Sequence, residues 1–548
     1  MSSKQRKKNL NERGKADVPV VGASDLTEKK PSKGRKASAP PLFDTSNIFE
    51  LLARLFLIAM AIVFPLAIGS EKYANITHFK NMTYYLIAAA AFCAIIIAMI
   101  RKVVKTPSYE PPVKDLWKSL TVADKAVLLY WLFLLISTLF SSYKDVALNG
   151  QGVRNDGFII QTFYVATYFV LSRLLRLRKF DLYLYCFGAT AVSALVMLHF
   201  FGFDVLKTGF SAPNWESGLL FMGPMGNINL TSYFVTAALI VTACLYITGQ
   251  QLSFDREGWV TLACFLLMLW AELNLNTDAG LVALGAALAV SLPLLLISFE
   301  RVGRYFTVLS GALTMMIFNR LLVGSDILGK DFGKTGWLMI PALLVCVGFT
   351  IAIRQGNLRW NPSRRLLLTV TLCLDGAAVI GVLIAAAVAA NGASKGVLYE
   401  LGQMLYHGNF NDHFGTNRLF TWKRTLKLAG KHPIFGSGPD TFCNVFMEAY
   451  GDEATKFFGG RTLDKAHNEY LQLLICSGIT GLGAFLTFLG AMITDAFQRA
   501  EKNPLLVCCA MGVVGYAVHA FFGYSLPINS PLMWVLFGLT GAAMRVEE

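Results

Sequence analysis

The residues best suited to catalysis lie in one polar segment, 391–466, and at its junction with the apolar stretch that follows. His467 stands at that junction, and a neutral imidazole with a pKa near 6.5 can accept a proton from a hydroxyl group. Arg418 and Arg461 lie in the same segment, and guanidinium groups bind phosphate through paired, charge-assisted hydrogen bonds. A lone histidine beside a membrane is usually structural. Its combination with nearby cations indicates a catalytic site.

The segment also contains a pattern typical of a helix at a membrane surface. Leu419, Trp422 and Leu426 recur at helical spacing within 417–428, with basic residues between them. This predicts a basic amphipathic helix at the membrane–water interface, or a helix that only packs on neighbouring helices. The following turn-rich stretch, 432–439, could bring backbone N–H groups close to a ligand, which is a weaker signal.

The composition indicates burial in lipid. The chain has 548 residues, of which 55% are hydrophobic and 15% charged, whereas a soluble domain carries about a quarter charged residues. The apolar residues fall in blocks of roughly 18–25, the length that crosses a hydrocarbon core about 30 Å thick. The sequence therefore predicts an integral membrane protein. Its ten cysteines lie almost entirely in these blocks without CxxC spacing, which indicates neither a zinc site nor a redox pair.

Much of the net charge of +14 lies near the start of the chain. Residues 1–47 are polar, basic and free of apolar periodicity, which predicts a disordered cytoplasmic tail. The tail has no apolar core of its own, so it does not resemble a cleaved signal peptide. We expect it to contact anionic membrane lipids, and its charge distribution does not indicate a nucleic-acid partner.

Apolar runs between charged or Gly/Pro-rich breaks predict an all-α bundle of about fourteen transmembrane helices. The spans lie near 49–69, 83–100, 123–141, 157–175, 180–201, 229–248, 257–274, 280–298, 305–323, 337–353, 366–390, 467–494, 504–522 and 530–545. The span at 305–323 is the weakest, because Asn319 and Arg320 are expected to end it early.

The distribution of basic residues gives the bundle a direction. The loops that would lie inside carry more lysine and arginine than those outside, so the positive-inside rule predicts a cytoplasmic N-terminus. Residues 391–466 then form one long extracytoplasmic loop between a first transmembrane bundle at 48–390 and C-terminal spans at 467–548. Long loops in compact bundles are usually functional, so the chemistry is expected in this loop.

Three segments of the predicted outer side resemble one known family. The most specific, Arg418…Trp422…Pro433…Gly436-x-Gly438…Ala466-His467-Asn468-Glu469-Tyr470-Leu471…Gly478…Gly481, resembles the signature region of the O-antigen ligase/polymerase superfamily. Gly226-Asn227-Ile228-Asn229 is similar to its Gly-Asn-x-Asn segment, and Arg154-Asn155-Asp156-Gly157 to its Arg-x-x-Gly. The resemblance runs from about residue 140 to the C-terminus.

The resemblance implies a membrane glycosyltransferase in the bacterial cytoplasmic (inner) membrane. The donor would be a glycan on a polyprenyl diphosphate, and the acceptor a hydroxyl of a glycan, lipid or protein. The family needs no cofactor, metal or nucleotide sugar. By resemblance, His467 is the base that activates the acceptor hydroxyl, and Arg418 and Arg154 bind the diphosphate leaving group. Further substrate-binding candidates are Arg461, Asn468, Asn227, Asn229 and Trp422.

One position departs from the family pattern. Many members carry Ser-Arg-Gly after a middle span, where this chain reads Asn274-Leu275-Asn276-Thr277-Asp278-Ala279-Gly280. The arginine is missing and an acid, Asp278, stands nearby. Another arginine (Arg154, Arg461 or Arg320) could replace it, the donor could differ, or ligase activity could have been lost.

Two alternatives to the enzyme therefore stay open, a polysaccharide or lipid transporter and a catalytically inactive member of the family. A carrier is expected to hold ionisable residues inside its spans. The candidates are Arg54, His199, Glu272, Asp375 and His519, each near a span end or able to pair internally. Ligase, polymerase and protein O-oligosaccharyltransferase share the same motifs and differ in the acceptor, so the sequence does not separate them.

Overall fold

The computed structural model describes residues 47–105, 117–152, 155–208, 223–249, 256–328, 333–356, 363–392 and 396–546. Over these residues the regular structure is helical and contains no strand. The predicted all-α polytopic membrane fold is therefore confirmed. The predicted disordered tail lies almost wholly outside the described residues, so that prediction is untested.

A helix lies at each of the fourteen predicted spans, and shorter helices lie between some of them. In chain order the main helices of the described residues are α1 Ile48–Leu66, α2 Ile76–Lys105, α3 Val122–Phe140, α4 Lys144–Asn149, α5 Phe158–Leu174, α6 Lys179–Phe200, α7 Ile228–Thr248, α8 Arg256–Leu275, α9 Asp278–Leu295, α10 Phe299–Leu328, α11 Gly333–Arg354, α12 Arg364–Ala390, α13 Val397–His407, α14 Arg418–Ala429, α15 Phe442–Phe457, α16 Glu469–Arg499, α17 Pro504–Ala520 and α18 Ser530–Ala543. Eleven of these are long and apolar enough to cross a membrane, and α5, α17 and α18 are shorter apolar helices.

The span predicted to be weakest is a full helix. Helix α10 continues past Asn319 and Arg320 to Leu328, so the expected early end is wrong. The reason is that Asn319 is buried and accepts hydrogen bonds from Trp270 at 3.0 Å and Asn274 at 2.9 Å. A buried polar side chain with partners on a neighbouring helix does not end a transmembrane helix.

Helix α7 lies at the centre of the bundle. Its whole apolar stretch is buried, and the helix packs against α8, α9 and α17. A helix that is apolar on all sides must be surrounded by other helices or by lipid. By contrast, only 6% of the apolar stretch of α12 is buried, so α12 lies at the periphery of the bundle. The segment 226–227 that precedes α7 therefore leads into the core.

The last helix is too short to span a bilayer alone. The 14 residues of α18 give a length of about 21 Å, less than the roughly 30 Å of a hydrocarbon core. Helix α18 is almost wholly buried and packs against α5 and α17, so its ends need not reach the lipid head groups. The turn 521–529 that joins α17 to α18 can therefore lie inside the protein.

The connections between the helices gather at two ends of the bundle. At the first, here called the loop end, Lys465 pairs with Asp156 and Ser525 donates to Glu469. These contacts bring together segments 141–157, 391–468 and 521–529. The opposite end, here called the tail end, contains the start of α1 and the end of α18. The segments at each end are those that the charge pattern predicts to share one side of the membrane.

The long loop is a folded unit of three helices, α13 to α15. Phe420 and Leu428 of α14 and Phe442 and Phe446 of α15 are buried in an apolar cluster of their own. The cluster reaches Cys476 of α16, so the loop is fixed to the bundle through apolar packing. This gives the polar residues of 391–466 a rigid support.

Candidate active site

His467 lies directly before α16 at the loop end. Its backbone is left-handed, with a φ of 52°, a conformation that is uncommon for residues other than glycine. The next residue, Asn468, caps α16 by accepting a hydrogen bond from the N–H of Leu471 at 3.0 Å. The half-buried imidazole meets the ring of Tyr524 edge to face, with ring centroids 4.8 Å apart. The predicted position of His467 at the mouth of a helix is confirmed, although that helix begins at Glu469.

Trp422 connects α14 to the residue before His467. Its indole N–H donates to the carbonyl of Ala466 at 3.1 Å, and its ring packs edge to face on Phe521 at 5.4 Å. The helix predicted from residues 417–428 is therefore present as α14, with its tryptophan in contact with protein. Trp422 positions the His467 segment, and its predicted contact with substrate stays a prediction.

Arg418, the first residue of α14, reaches the same region. Its guanidinium group interacts electrostatically with Tyr233, Asp278 and Tyr524. Burial lowers the pKa of Arg418, and these three groups oppose that effect. Within the described part of the chain, no carboxylate lies at ion-pair distance from Arg418. Tyr524 contacts His467 and also interacts electrostatically with Arg418, so the fold places both residues near the same side chain.

The turn 521–529 forms one wall of this site. The N–H of Ser525 donates to the carboxylate of Glu469 at 2.7 Å, and the hydroxyl of Tyr470 donates to the carbonyl of Ala517 at 2.5 Å. These bonds attach the turn to the start of α16 and bring Tyr524 against His467. Tyr524 was not predicted as a site residue, because an aromatic residue in a turn belongs to no recognisable motif.

A buried ion cluster joins the segment before His467 to the segment before α5. The ammonium group of Lys465 lies 2.7 Å from Asp440 and 3.6 Å from Asp156. Asp440 also accepts hydrogen bonds from the backbone N–H groups of Gln151 at 2.7 Å and of Asp156 at 3.2 Å. We call Lys465, Asp440 and Asp156 the ion triad. It connects two of the three segments that carry the family resemblance.

The protonation of the ion triad follows from its burial. Burial by itself lowers the pKa of Lys465, but the carboxylates of Asp440 and Asp156 raise it overall. Burial raises the pKa of Asp156, with a further contribution from Asp440 and Glu469 and opposition from Lys465. Lys465 therefore stays protonated and positively charged, and Asp156 binds a proton more tightly than an exposed carboxyl group does.

The turn 432–439 is attached to a kink in α16. The N–H groups of Ser437 and Gly438 donate to two carbonyls of that helix, each at 2.9 Å. The kink is at Gly478, whose φ is 68°, and a side chain there would lie 2.1 Å from the carbonyl oxygen of Ile434. The prediction that this turn offers N–H groups to a ligand is wrong for these two groups, because both are bonded to protein. Glycine at 478 instead permits the close contact between turn and helix.

The remaining predicted residues have separate positions. Asn227 caps α7 by accepting hydrogen bonds from the N–H groups of Asn229 at 3.0 Å and Leu230 at 3.2 Å, so its oxygen is used by the backbone. Arg461 lies exposed in the segment after α15. Arg154 lies outside the described residues. Substrate binding by these residues stays a prediction.

The position where the family has arginine carries an acid next to Arg418. Asp278 is the first residue of α9, lies exposed and interacts electrostatically with Arg418. A carboxylate near a guanidinium group partly offsets the positive charge that the group offers to an anionic ligand. At the place where the resemblance predicts an arginine, the structure therefore has a carboxylate that interacts with Arg418.

The ionisable residues expected of a carrier are mostly engaged within the bundle. Arg54, His199, Glu272 and His519 each have a side-chain hydrogen-bond partner, and Asp375 lies half-buried in α12. Within the ranges that the structure describes, histidine, cysteine, aspartate and glutamate residues do not form a group of three or more suited to a metal ion. The internal pairing expected for these residues is present for four of the five.

Comparison with known proteins gives one match. Residues 236–486 match the family model described as O-antigen ligase. This range contains Arg418 and His467, whereas Arg154 and Asn227 precede it. No curated protein matches the chain. The resemblance inferred from the motifs is therefore confirmed for the part of the chain that contains the signature region.

Proposed function

We propose, because residues 236–486 match the O-antigen ligase family model, that the chain transfers a glycan from a polyprenyl-diphosphate donor to an acceptor hydroxyl. This match supports a glycosyl-transferring enzyme of surface polysaccharide assembly in a multi-pass membrane protein. The donor, the acceptor hydroxyl and reaction at the extracytoplasmic face of the bacterial inner membrane are part of the proposal. The positive-inside bias of the loops supports this face.

The observation that supports the proposal is that His467 and Arg418 have the common neighbour Tyr524. The two residues are 49 positions apart in sequence (467 − 418) and lie on different elements. A candidate base and a guanidinium group without an ion pair to any described residue, both near Tyr524 at the end of a membrane bundle, suit a substrate with a lipid tail and a diphosphate head. The tail would lie among the apolar helices and the head at the loop end.

In the proposed reaction the acceptor oxygen attacks the anomeric carbon of the donor from the side opposite the diphosphate, which inverts that carbon. The bond from the anomeric carbon to the diphosphate oxygen breaks as the new glycosidic bond forms. His467 removes the proton of the acceptor hydroxyl. Arg418, together with Arg154, stabilises the negative charge that develops on the departing diphosphate.

The decisive experiment replaces the proposed base. His467→Ala is expected to lower glycan transfer by about 10²–10⁴-fold, the usual contribution of a general base. Transfer is measured in a strain that lacks its own copy of the gene, as surface polysaccharide restored by plasmid-encoded protein. The matched control is His407→Ala, which removes an exposed histidine at the end of α13 in the same loop.

The control variant is expected to restore polysaccharide as the wild type does. If His467→Ala restores it equally well at equal protein level, the base assignment is wrong. If deletion of the gene leaves every surface polysaccharide unchanged while proton-coupled transport in vesicles is lost, the transporter alternative replaces the enzyme.

A further inference from the structure

Tyr233 has a buried hydroxyl group to which no described residue forms a hydrogen bond. It lies near the start of α7, and its side chain is 1% exposed. Its hydroxyl has no hydrogen-bond partner among the described residues. A buried polar group without a partner costs free energy, so such groups are rare and mark places where a ligand or water completes the bonding.

This hydroxyl faces the site that contains Arg418 and His467. Tyr233 interacts electrostatically with Arg418, and also with Glu469 and Tyr524. A Cβ atom at Gly523 would lie 2.8 Å from the hydroxyl oxygen, so the turn 521–529 runs directly beside it. The hydroxyl therefore lies beside the turn that carries Tyr524 and within electrostatic reach of Arg418, the candidate diphosphate-binding arginine.

The ring of Tyr233 is held in place by packing against His519. The imidazole of His519 packs against it with ring centroids 3.8 Å apart. His519 Nε2 lies 3.1 Å from the hydroxyl of Ser232, and that hydroxyl donates to the carboxyl group of Glu272 at 2.5 Å. A hydroxyl that is already oriented loses less entropy when it binds a ligand, which favours a binding role over accidental burial.

We propose that the hydroxyl of Tyr233 donates a hydrogen bond to an oxygen of the diphosphate group that Arg418 binds. The inference rests on the proposed function, because it takes the diphosphate donor from it. A neutral phenol suits this position, since it adds a donor without adding a second charge beside Arg418. The start of α7 lies next to it, and the positive end of a helix dipole also favours an anion there.

The test compares two tyrosines that are alike except in position. Tyr185 in α6 is also fully buried, and its hydroxyl also has no partner among the described residues. It lies in the second turn of α6, near the tail end. Tyr233→Phe and Tyr185→Phe each remove one buried hydroxyl and keep the ring, so any general effect on folding is shared by both variants.

The probe is geranylgeranyl diphosphate, a short polyprenyl diphosphate without sugar, bound to the purified full chain in detergent. Tyr233→Phe is expected to weaken its binding by about tenfold or more, the usual effect of losing a hydrogen bond to a charged group. Tyr185→Phe is expected to bind as the wild type does. Geranylgeraniol, which lacks the diphosphate, should bind all three proteins equally.

Equal binding of the diphosphate by the two variants would overturn the inference, since the hydroxyl of Tyr233 would then contact only protein or water. This result leaves the proposed function standing if His467→Ala still abolishes transfer. A wild-type protein that does not distinguish the diphosphate from the alcohol would overturn both the inference and the proposed donor.

Discussion

The two ends of the helix bundle use their buried cations differently. At the tail end, Arg54 is 1% exposed and lies 3.0 Å from each of the carboxylates of Glu50 and Asp181. Asp124, also buried, binds Arg173 at 2.8 Å and Arg545 at 2.5 Å. Each of these three cations has a protein carboxylate as its partner, whereas the buried Arg304 donates to the carbonyl of Tyr246 at 2.7 Å. The result is a set of ion pairs that ties the first, middle and last helices together.

At the loop end the pattern is mixed. Lys465 is paired within the ion triad, and Arg424 of α14 pairs with Asp412 and Glu453. Arg418 lies on the same helix without an ion pair to any described residue. The difference teaches that abundance of charge does not identify the site. The feature suited to an anionic substrate is a half-buried cation that has no ion pair to a described residue and lies near the candidate base.

The largest expected effect is at the tail end. Arg54→Met should lower the free energy of unfolding by about 3–5 kcal/mol, because it leaves the buried carboxylate of Asp181 without its cation. Thermal unfolding of the purified protein in detergent measures the loss. Arg54→Lys, which keeps the charge, should lose less. A stable Arg54→Met protein that has lost only glycan transfer would contradict the structural role of the tail-end ion pairs, since it would place function at the tail end.

The next effect separates two arginines of one helix. A hydrogen bond to a charged group contributes about 1.5–3 kcal/mol, so Arg418→Ala should lower transfer by about 10- to 100-fold. Arg418→Lys should be intermediate, because an ammonium group lacks the paired donors of a guanidinium group. Arg424→Ala, the matched control, removes only partly exposed ion pairs and should leave transfer near the wild-type rate. Equal losses in the two alanine variants would show that Arg418 acts through the stability of α14.

The smallest effect concerns pH and the ion triad. The folded state holds the proton on Asp156 more tightly than the unfolded chain does, because its pKa is raised. Its contribution to stability is therefore complete below the unfolded carboxyl pKa of about 3.9 and is lost as pH rises through the folded pKa. Thermal unfolding between about pH 5 and pH 9 should show this decline in the wild type.

Asp156→Asn should remove the part of the stability decline that comes from Asp156. It should lower the stability little at neutral pH, since the carboxyl group it replaces tends to carry a proton. Asp440→Asn should destabilise the protein more, because Asp440 is the nearer partner of Lys465. A larger loss from Asp156→Asn than from Asp440→Asn would reverse this assignment of the proton within the triad.

The positions of the helices follow from the sequence, because each depends on local composition. An apolar run long enough to cross lipid must satisfy its backbone hydrogen bonds internally and is therefore helical. All fourteen predicted spans accordingly coincide with helices. The prediction that the helix ends early at Asn319 was wrong for a nonlocal reason. The partners that keep this asparagine in a helix, Trp270 and Asn274, lie on α8.

The motifs also proposed His467 and Arg418 as residues of one site, and the fold gives them a common neighbour, Tyr524. The motifs did not reveal Tyr233, Tyr524 or the partners of Lys465. These residues belong to segments that no motif connects, and their types are common in membrane proteins. Only the packing of α7, α14 and α16 against the turn 521–529 makes Tyr233 and Tyr524 neighbours of this site.

By itself, then, the sequence determined the class of fold, the positions and order of the apolar helices and the segments that resemble the family signature, because apolar length and short motifs are local properties. The tertiary structure alone decided which of the described cations are paired with protein carboxylates. That outcome depends on pairs such as Arg54 with Asp181 and Lys465 with Asp440. Their contacts arise only when helices remote in sequence pack together.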